Sequence, residues 1–81
     1  MSKDLAGANM PSANLRGDDL SGADLSGATL VQADMLNCVL SRANLSGGDL
    51  HGADLTDADL SVANRIGGMW SKGRLWGGRF R

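Results

Sequence analysis

The chain of 81 residues is poor in several residue types on which many folds depend. It contains one cysteine, one histidine, no tyrosine and no glutamate, so that its nine aspartates are its only acidic side chains. A single cysteine, Cys38, excludes an internal disulfide framework and a zinc-type cluster, and it is typical of a protein kept reduced in the cytoplasm. No apolar run is long enough for a signal peptide or a membrane-spanning helix. The composition predicts a small soluble domain without disulfide, metal or cofactor.

Charge divides the chain into two parts of opposite sign. Residues 1–64 contain nine aspartates against Lys3, Arg16 and Arg42, a net charge of −6, whereas residues 65–81 contain five basic residues and no acid, a net charge of +5. The only three aromatic residues, Trp70, Trp76 and Phe80, all lie in the second part. The two parts therefore differ in character, and the net charge of the whole chain conceals this difference.

A period of five residues runs through the acidic part. Counted in steps of five, twelve consecutive positions hold a leucine or a methionine: Leu5, Met10, Leu15, Leu20, Leu25, Leu30, Met35, Leu40, Leu45, Leu50, Leu55 and Leu60. Alanine stands two residues before most of these positions, and Asp18, Cys38 and Gly48 are exceptions. Aspartate or asparagine directly precedes the large residue in most steps. We refer to these places as the large, small and Asp/Asn positions.

Neither a helix nor a flat strand explains this period. On a helix, a step of five rotates the side chain by about 140°, so the leucines would scatter around the axis. On a flat strand, an odd step would place successive leucines on opposite faces. A chain that bends inward once every five residues directs one large and one small apolar side chain at a common axis in each step. The period therefore predicts a solenoid.

Residues 3–64 resemble the pentapeptide-repeat family, whose motif is A-(D/N)-L-x-x. The resemblance implies an all-β fold, a right-handed quadrilateral β-helix with four pentapeptides per coil and about three coils. Its core is expected to contain the large residues from Leu15 to Leu60. Both ends of so short a stack are expected to be open β edges, through which the chain could self-associate.

The repeats contain no catalytic constellation, and we predict that the protein is not an enzyme. His51 is expected to be a solvated surface residue, and Cys38 a buried, inert thiol at a small position. The Asp/Asn position is expected to hold the turn backbone through side-chain hydrogen bonds. Asp18, at a small position, is expected to turn outward from a loose first coil.

Residues 65–81 are predicted to form a flexible, disordered tail. Arg65 stands where a leucine is due, and five of these seventeen residues are glycines, which disfavour a helix. A short plug formed by Ile66 and Trp70 over the last coil is one interpretation. A nucleic-acid arm of basic and aromatic residues is a second, which the acidic body disfavours, so a nucleic-acid partner is not expected.

The third interpretation, and our predicted function, is a precursor of a ribosomally synthesised, post-translationally modified peptide. Residues 1–64 are the folded leader that a tailoring enzyme recognises, and residues 69–81 are the core that is modified and cleaved to a cationic peptide. The candidate cleavage residues are Gly67 and Gly68, and the candidate modification residues are Trp70, Lys72, Trp76 and Phe80. The precursor is expected in the cytoplasm, and a processing protease and an exporter are the expected further partners.

An alternative belongs to a different functional class. The acidic part could mimic the charge of DNA and bind gyrase or another DNA-handling protein, as some longer members of the family do. The aspartates assigned to this function are Asp24, Asp34, Asp54 and Asp59.

Overall fold

The computed structural model describes residues 4–68 and the backbone of residues 79–80. Within these residues there are two short strands, β1 (Asp59–Leu60) and β2 (Arg79–Phe80). They pair in parallel, with Asp59 opposite Arg79 and Leu60 opposite Phe80. The remaining pairing consists of isolated parallel bridges. A helix capable of crossing a membrane is not found in this part of the chain.

Every bridge joins two residues that are twenty positions apart. The paired positions form four ladders, Asp4–Asp24–Asn44–Asn64, Asn9–Thr29–Asp49, Asn14–Asp34–Asp54 and Asp19–Val39–Asp59, and the pairing of β1 with β2 extends the last ladder to Arg79. Twenty residues are four pentapeptides, so the chain is a β-helix in which each coil has four sides. The prediction of four pentapeptides per coil is confirmed.

A hydrogen-bonded turn follows each large residue and explains the five-residue period. At Leu25, for example, the carbonyl accepts a hydrogen bond from the Ala28 N–H at 3.0 Å, and the intervening Gly27 has a φ of 66°. A positive φ at the third residue of a four-residue turn is typical of type II geometry. Between coils, the Leu25 N–H donates to the Asn44 carbonyl at 2.7 Å. Each pentapeptide thus ends in a turn, and its backbone is hydrogen-bonded to the next coil.

The interior is formed by the large and small positions, as predicted. Nine of the ten predicted core residues are 0–1% exposed: Leu20, Leu25, Leu30, Met35, Leu40, Leu45, Leu50, Leu55 and Leu60. The tenth, Leu15, is only partly buried, like Leu5 and Met10, and packs against the edge of this cluster. These three residues belong to the first described coil, in which the fourth large residue, Leu20, is nevertheless 1% exposed. The core prediction is therefore correct for the later coils and too broad at Leu15.

Val62 is strained in its turn. Its φ of 61° lies in the left-handed region, which β-branched residues rarely adopt, and its side chain is 66% exposed. Replacing Val62 with glycine should raise the free energy of unfolding by about 1 kcal/mol, because the backbone strain disappears and little burial is lost. Urea denaturation followed by circular dichroism measures the change.

Gly47 offers the matched control for Val62, because it occupies the same place in an equivalent turn with a φ of 67°. A Cβ at this position would meet no atom closer than 3.9 Å, so Gly47→Val adds backbone strain without a clash. We expect Gly47→Val to destabilise the protein by about the amount that Val62→Gly stabilises it. Stabilisation by both changes, or by neither, would contradict the assignment of strain to this turn position.

Candidate functional site

The outward positions divide into four sides, which we number by the ladder that each carries. Side 1 carries the ladder that begins at Asp4, side 2 that of Asn9, side 3 that of Asn14 and side 4 that of Asp19. Each side is one pentapeptide, from the small position to two residues after the large position, and its outward residues are those outside the small and large positions. Polar side chains lie only on these outward surfaces or at their margins, since no polar or charged residue among those described is buried.

The Asp/Asn position fixes the turn that follows it, as predicted. The Oδ1 atom of the aspartate accepts a hydrogen bond from the backbone N–H two residues later at Asp4, Asp19, Asp24, Asp34, Asp49, Asp54 and Asp59. At Asp24, the Ser26 hydroxyl also donates to Oδ1 at 2.7 Å. The Ser26 hydroxyl, and then the Ser26 N–H, lower the pKa of Asp24 because both stabilise the carboxylate. The carboxylates of these columns are therefore held in fixed orientations.

The aspartates are unevenly distributed over the sides. Asp4 and Asp24 lie on side 1 and Asp49 on side 2, whereas six of the nine lie on the adjacent sides 3 and 4: Asp34, Asp54 and Asp57 on side 3, and Asp18, Asp19 and Asp59 on side 4. The four aspartates assigned to DNA mimicry are thus not on one surface, because Asp24 lies on side 1.

One ion pair links two coils on side 3. The guanidinium of Arg16 contacts the Oδ2 atom of Asp34 through Nε at 3.0 Å and through a terminal nitrogen at 2.9 Å. Both side chains are well exposed, so the pair adds little to the free energy of unfolding. The same carboxylate holds its own turn through Oδ1, with the Leu36 N–H as donor. Asp34 therefore serves both the turn and the contact between coils.

Cys38 is a buried thiol in the small column, as predicted. Its side chain is fully buried beneath Asp18, which lies one coil earlier in the same column and is half-buried. Burial, and secondarily the Asp18 carboxylate, raise the pKa of Cys38 from 9.0 to about 12. The expected loose first coil at Asp18 is not observed, because its N–H donates to the Leu15 carbonyl at 3.1 Å and its carbonyl accepts from the Val39 N–H at 2.8 Å.

The raised pKa of Cys38 makes stability fall at alkaline pH. Below about pH 9 the thiol is protonated in both the folded and the unfolded chain, whereas between pH 9 and about 12 only the unfolded chain loses the proton. Folding stability should therefore decrease across this window. Urea denaturation at pH 8 and pH 10 should show a larger loss for the wild type than for Cys38→Ala, which places the usual residue at this position. Equal losses in the two proteins would contradict the prediction.

His51 lies on side 2 and is half-buried rather than fully solvated, and its backbone N–H donates to Oδ1 of Asp49 at 3.2 Å. Within residues 4–68, His, Cys and Asp side chains do not form a group that could hold a metal ion. The tail candidates Trp70, Lys72 and Trp76 lie outside the described residues, as does the side chain of Phe80.

The candidate cleavage residues belong to a regular turn rather than to a linker. The Gly47 N–H donates to the Ile66 carbonyl at 2.9 Å, and the Gly68 N–H donates to the Arg65 carbonyl at 3.2 Å. Gly67 has a φ of 71°, as expected for its place in the turn. Hydrogen-bonded turns therefore continue through residue 68, whereas the domain boundary at residue 64 stays a prediction. After residue 68, the structure describes only β2. Its two residues pair with β1, so the prediction of a disordered tail does not hold for residues 79–80.

The five-residue count, continued past Leu60, reveals a pattern that is hidden when the tail is considered by itself. The large positions are then Arg65, Trp70, Leu75 and Phe80, and the small positions are Ala63, Gly68, Gly73 and Gly78. These glycines, taken alone, predict disorder, but glycine is also small enough for the small position of the repeat. At its last step, this count agrees with the pairing of Phe80 opposite Leu60.

Comparison with known proteins agrees with this geometry. The family model for pentapeptide repeats matches eight copies over residues 4–35 and 19–57. A crystal structure of the pentapeptide repeat protein Rfr23 from the cyanobacterium Cyanothece 51142 is 33% identical, with a TM-score of 0.56, and the match covers 96% of this chain and 60% of that one. A pentapeptide repeat protein from the thylakoid lumen of Arabidopsis thaliana is 24% identical, with a TM-score of 0.63 and coverage of 91% and 62%.

No curated protein sequence matches the chain. The chain spans about three fifths of the length of the two solved structures. The fold that these structures imply is the right-handed quadrilateral β-helix, and the ladders of this chain follow its four-sided plan. The match of the family model to most of the repeats, together with this fold, shows that the chain belongs to the pentapeptide-repeat family.

Proposed function

We propose that the protein is a non-enzymatic binding module that presents fixed carboxylates to the cationic, duplex-binding surface of a DNA-handling protein. The supporting observation is the hydrogen bonding of the Asp/Asn columns, in which Oδ1 of each aspartate is tied to the turn backbone. A carboxylate that is already oriented loses little conformational entropy when a partner binds it. Residues 4–68 contain nine aspartates and three arginines, a net charge of −6.

The density of these charges supports a partner that normally binds duplex DNA. The ladder from Asp4 to Asn64 crosses three spacings between coils, about 14 Å at the usual distance between neighbouring strands. The net charge of −6 over this height corresponds to about one negative charge per 2.3 Å, and duplex DNA carries one phosphate per about 1.7 Å of its axis. The charge density of the coil stack is therefore of the same order as that of duplex DNA, although somewhat lower.

The position of the aspartates allows a sharp test. Asp34, Asp54 and Asp59 lie on sides 3 and 4, whereas Asp4, Asp24 and Asp49 lie on sides 1 and 2, and all six accept the same turn hydrogen bond. Asparagine retains the accepting oxygen and removes the charge. The two triple Asp→Asn variants therefore differ in which surface is neutralised and, beyond that, in the loss of the exposed Arg16–Asp34 ion pair, which contributes little to stability.

The assay is inhibition of DNA supercoiling by purified gyrase, with the full chain as inhibitor. We expect inhibition by the wild type, a loss of at least tenfold in potency for the variant of Asp34, Asp54 and Asp59, and a smaller loss for the variant of Asp4, Asp24 and Asp49. Absence of inhibition by the wild type would refute gyrase as the partner. Equal losses in the two variants would show a general charge effect rather than recognition by sides 3 and 4.

A precursor peptide is the second candidate, because the charge inverts at Arg65 and the pair Gly67–Gly68 follows directly. The pairing of β2 weighs against it, since residues 79–80 must leave the ladder before a tailoring enzyme can reach them. The leader would then act in the cytoplasm, and its core would be exported after cleavage. Mass spectrometry of the peptide from producing cells should show a mass shift confined to residues 69–81. An unmodified and uncleaved chain in those cells would end this candidate.

A further inference from the structure

The two ends of the described stack differ in the burial of their inward side chains. Leu5, Met10 and Leu15 in the first coil are partly buried, because their outer side has no neighbouring coil. Leu50 and Leu55 at the opposite end are 0% exposed and Leu60 is 1% exposed. Leu20, also in the first coil, is 1% exposed, so the two ends differ at the positions of Leu50 and Leu55 rather than at that of Leu60. The C-terminal end is therefore not the open edge that the sequence analysis expects at both ends.

Strand β2 lies on this closed end. It pairs with β1 in parallel and at the same separation of twenty residues that every other bridge has. The register places Phe80 opposite Leu60, and the basic Arg79 opposite the acidic Asp59. Basic residues dominate the chain after residue 64, with five cations and no acid, while the stack below carries a net charge of −6. The register and the opposite charges both favour the pairing of β2 with the last coil of its own chain.

We propose that β2 is a closing strand that prevents the edge of β1 from pairing with a second copy of the chain. An uncovered strand edge with apolar side chains beneath it is a template for association. The occupant of this edge is the chain's own C-terminal strand, and a second copy takes its place when β2 cannot pair. This function of β2 is independent of the partner proposed for sides 3 and 4.

The test uses a backbone donor that the ladder requires. At the equivalent place one coil earlier, the Asp59 N–H donates to the Cys38 carbonyl at 3.0 Å, and Asp49 and Asp54 donate in the same way on the other sides. Proline at position 79 has no N–H and cannot make this bond. Arg79→Gln is the matched control, because it removes the charge and retains the N–H.

Sedimentation velocity of the full-length chain over a range of concentrations gives the result. We expect a monomer mass for the wild type and Arg79→Gln, and a mass for Arg79→Pro that rises with concentration toward twice that value. Arg79→Pro should also bind more of the apolar dye ANS, because Leu60 loses its cover. Monomer mass and unchanged dye binding in Arg79→Pro would overturn the proposal, as would association of the wild type to the same extent.

A second variant keeps the test valid if Arg79→Pro does not fold. Asp59→Cys with Arg79→Cys, in a Cys38→Ala background, places two thiols at paired positions within reach of a disulfide. The oxidised protein should contain an intrachain cross-link and remain a monomer at every concentration. Failure of the folded protein to form this cross-link would overturn the proposal.

Discussion

A chain with one additional coil, made by repeating residues 24–43 directly after Ala43, should fold and unfold at a higher urea concentration than the wild type. Twenty residues are one complete coil, so every residue after the insertion keeps its side and its inward or outward direction. At typical stabilities per residue, the free energy of unfolding should rise by about 1–3 kcal/mol. The β-type circular dichroism signal should increase with the added residues.

The control for this experiment is the same insertion without the residue that copies Gly27. Its nineteen residues shift the phase by one, so that each later leucine must leave its inward position or the coil must form a bulge. We expect a free energy of unfolding below that of the wild type, although this chain is also longer. If both insertions stabilise the protein equally, the coil length of twenty residues is wrong.

Replacing Leu40 with alanine should lower the free energy of unfolding by about 2–5 kcal/mol, because the residue is completely buried between neighbouring coils. Leu5→Ala is the matched control. Leu5 occupies the same position of the repeat, but it is only partly buried in the first coil. Its replacement should cost less than half as much, since an end coil also frays more readily. Urea denaturation measures both values, and equal losses would contradict the stacking described above.

The sequence predicts the repeating part of the fold well because one physical requirement recurs in every step. A large and a small apolar residue must face the axis, and the intervening turn must close within three residues. Leu30 and Ala33 show both requirements, since they are buried and the Ala33 N–H donates to the Leu30 carbonyl at 3.0 Å. The partial exposure of Leu15 depends on what lies beyond the first coil, and a local pattern does not contain that information.

The end of the repeat could not be located in the same way, because the motif departs from its usual residues in two ways. Arg65 interrupts the series of leucines, and glycine replaces alanine at positions 68, 73 and 78. A glycine at the small position leaves space for the chain to bend, but in a sequence it resembles a flexible linker. The pairing of Arg79–Phe80 with Asp59–Leu60 resolves this ambiguity at the last step of the count.

The candidate site was only partly predictable for a different reason. The period identifies the Asp/Asn column and its structural task, and the observed hydrogen bonds agree with it. Which aspartates share a surface follows from the coil length of twenty residues, which places Asp34 and Asp54 together and Asp24 elsewhere. The left-handed turn position is less visible, because Gln32, Arg42 and Val62 occupy it without the glycine that usually indicates it.

Cross-linking of residues twenty positions apart tests the coil directly. In a Cys38→Ala background, Ser41→Cys with Ser61→Cys places two thiols on side 4 in neighbouring coils, where the Arg42 N–H donates to the Ser61 carbonyl at 2.9 Å. Ser41→Cys with Thr56→Cys places them fifteen residues apart on different sides. Mild oxidation followed by mass spectrometry of the folded monomer should show an intrachain disulfide in the first protein and free thiols in the second. A disulfide in the second protein and none in the first would show that the chain does not wind with twenty residues per coil.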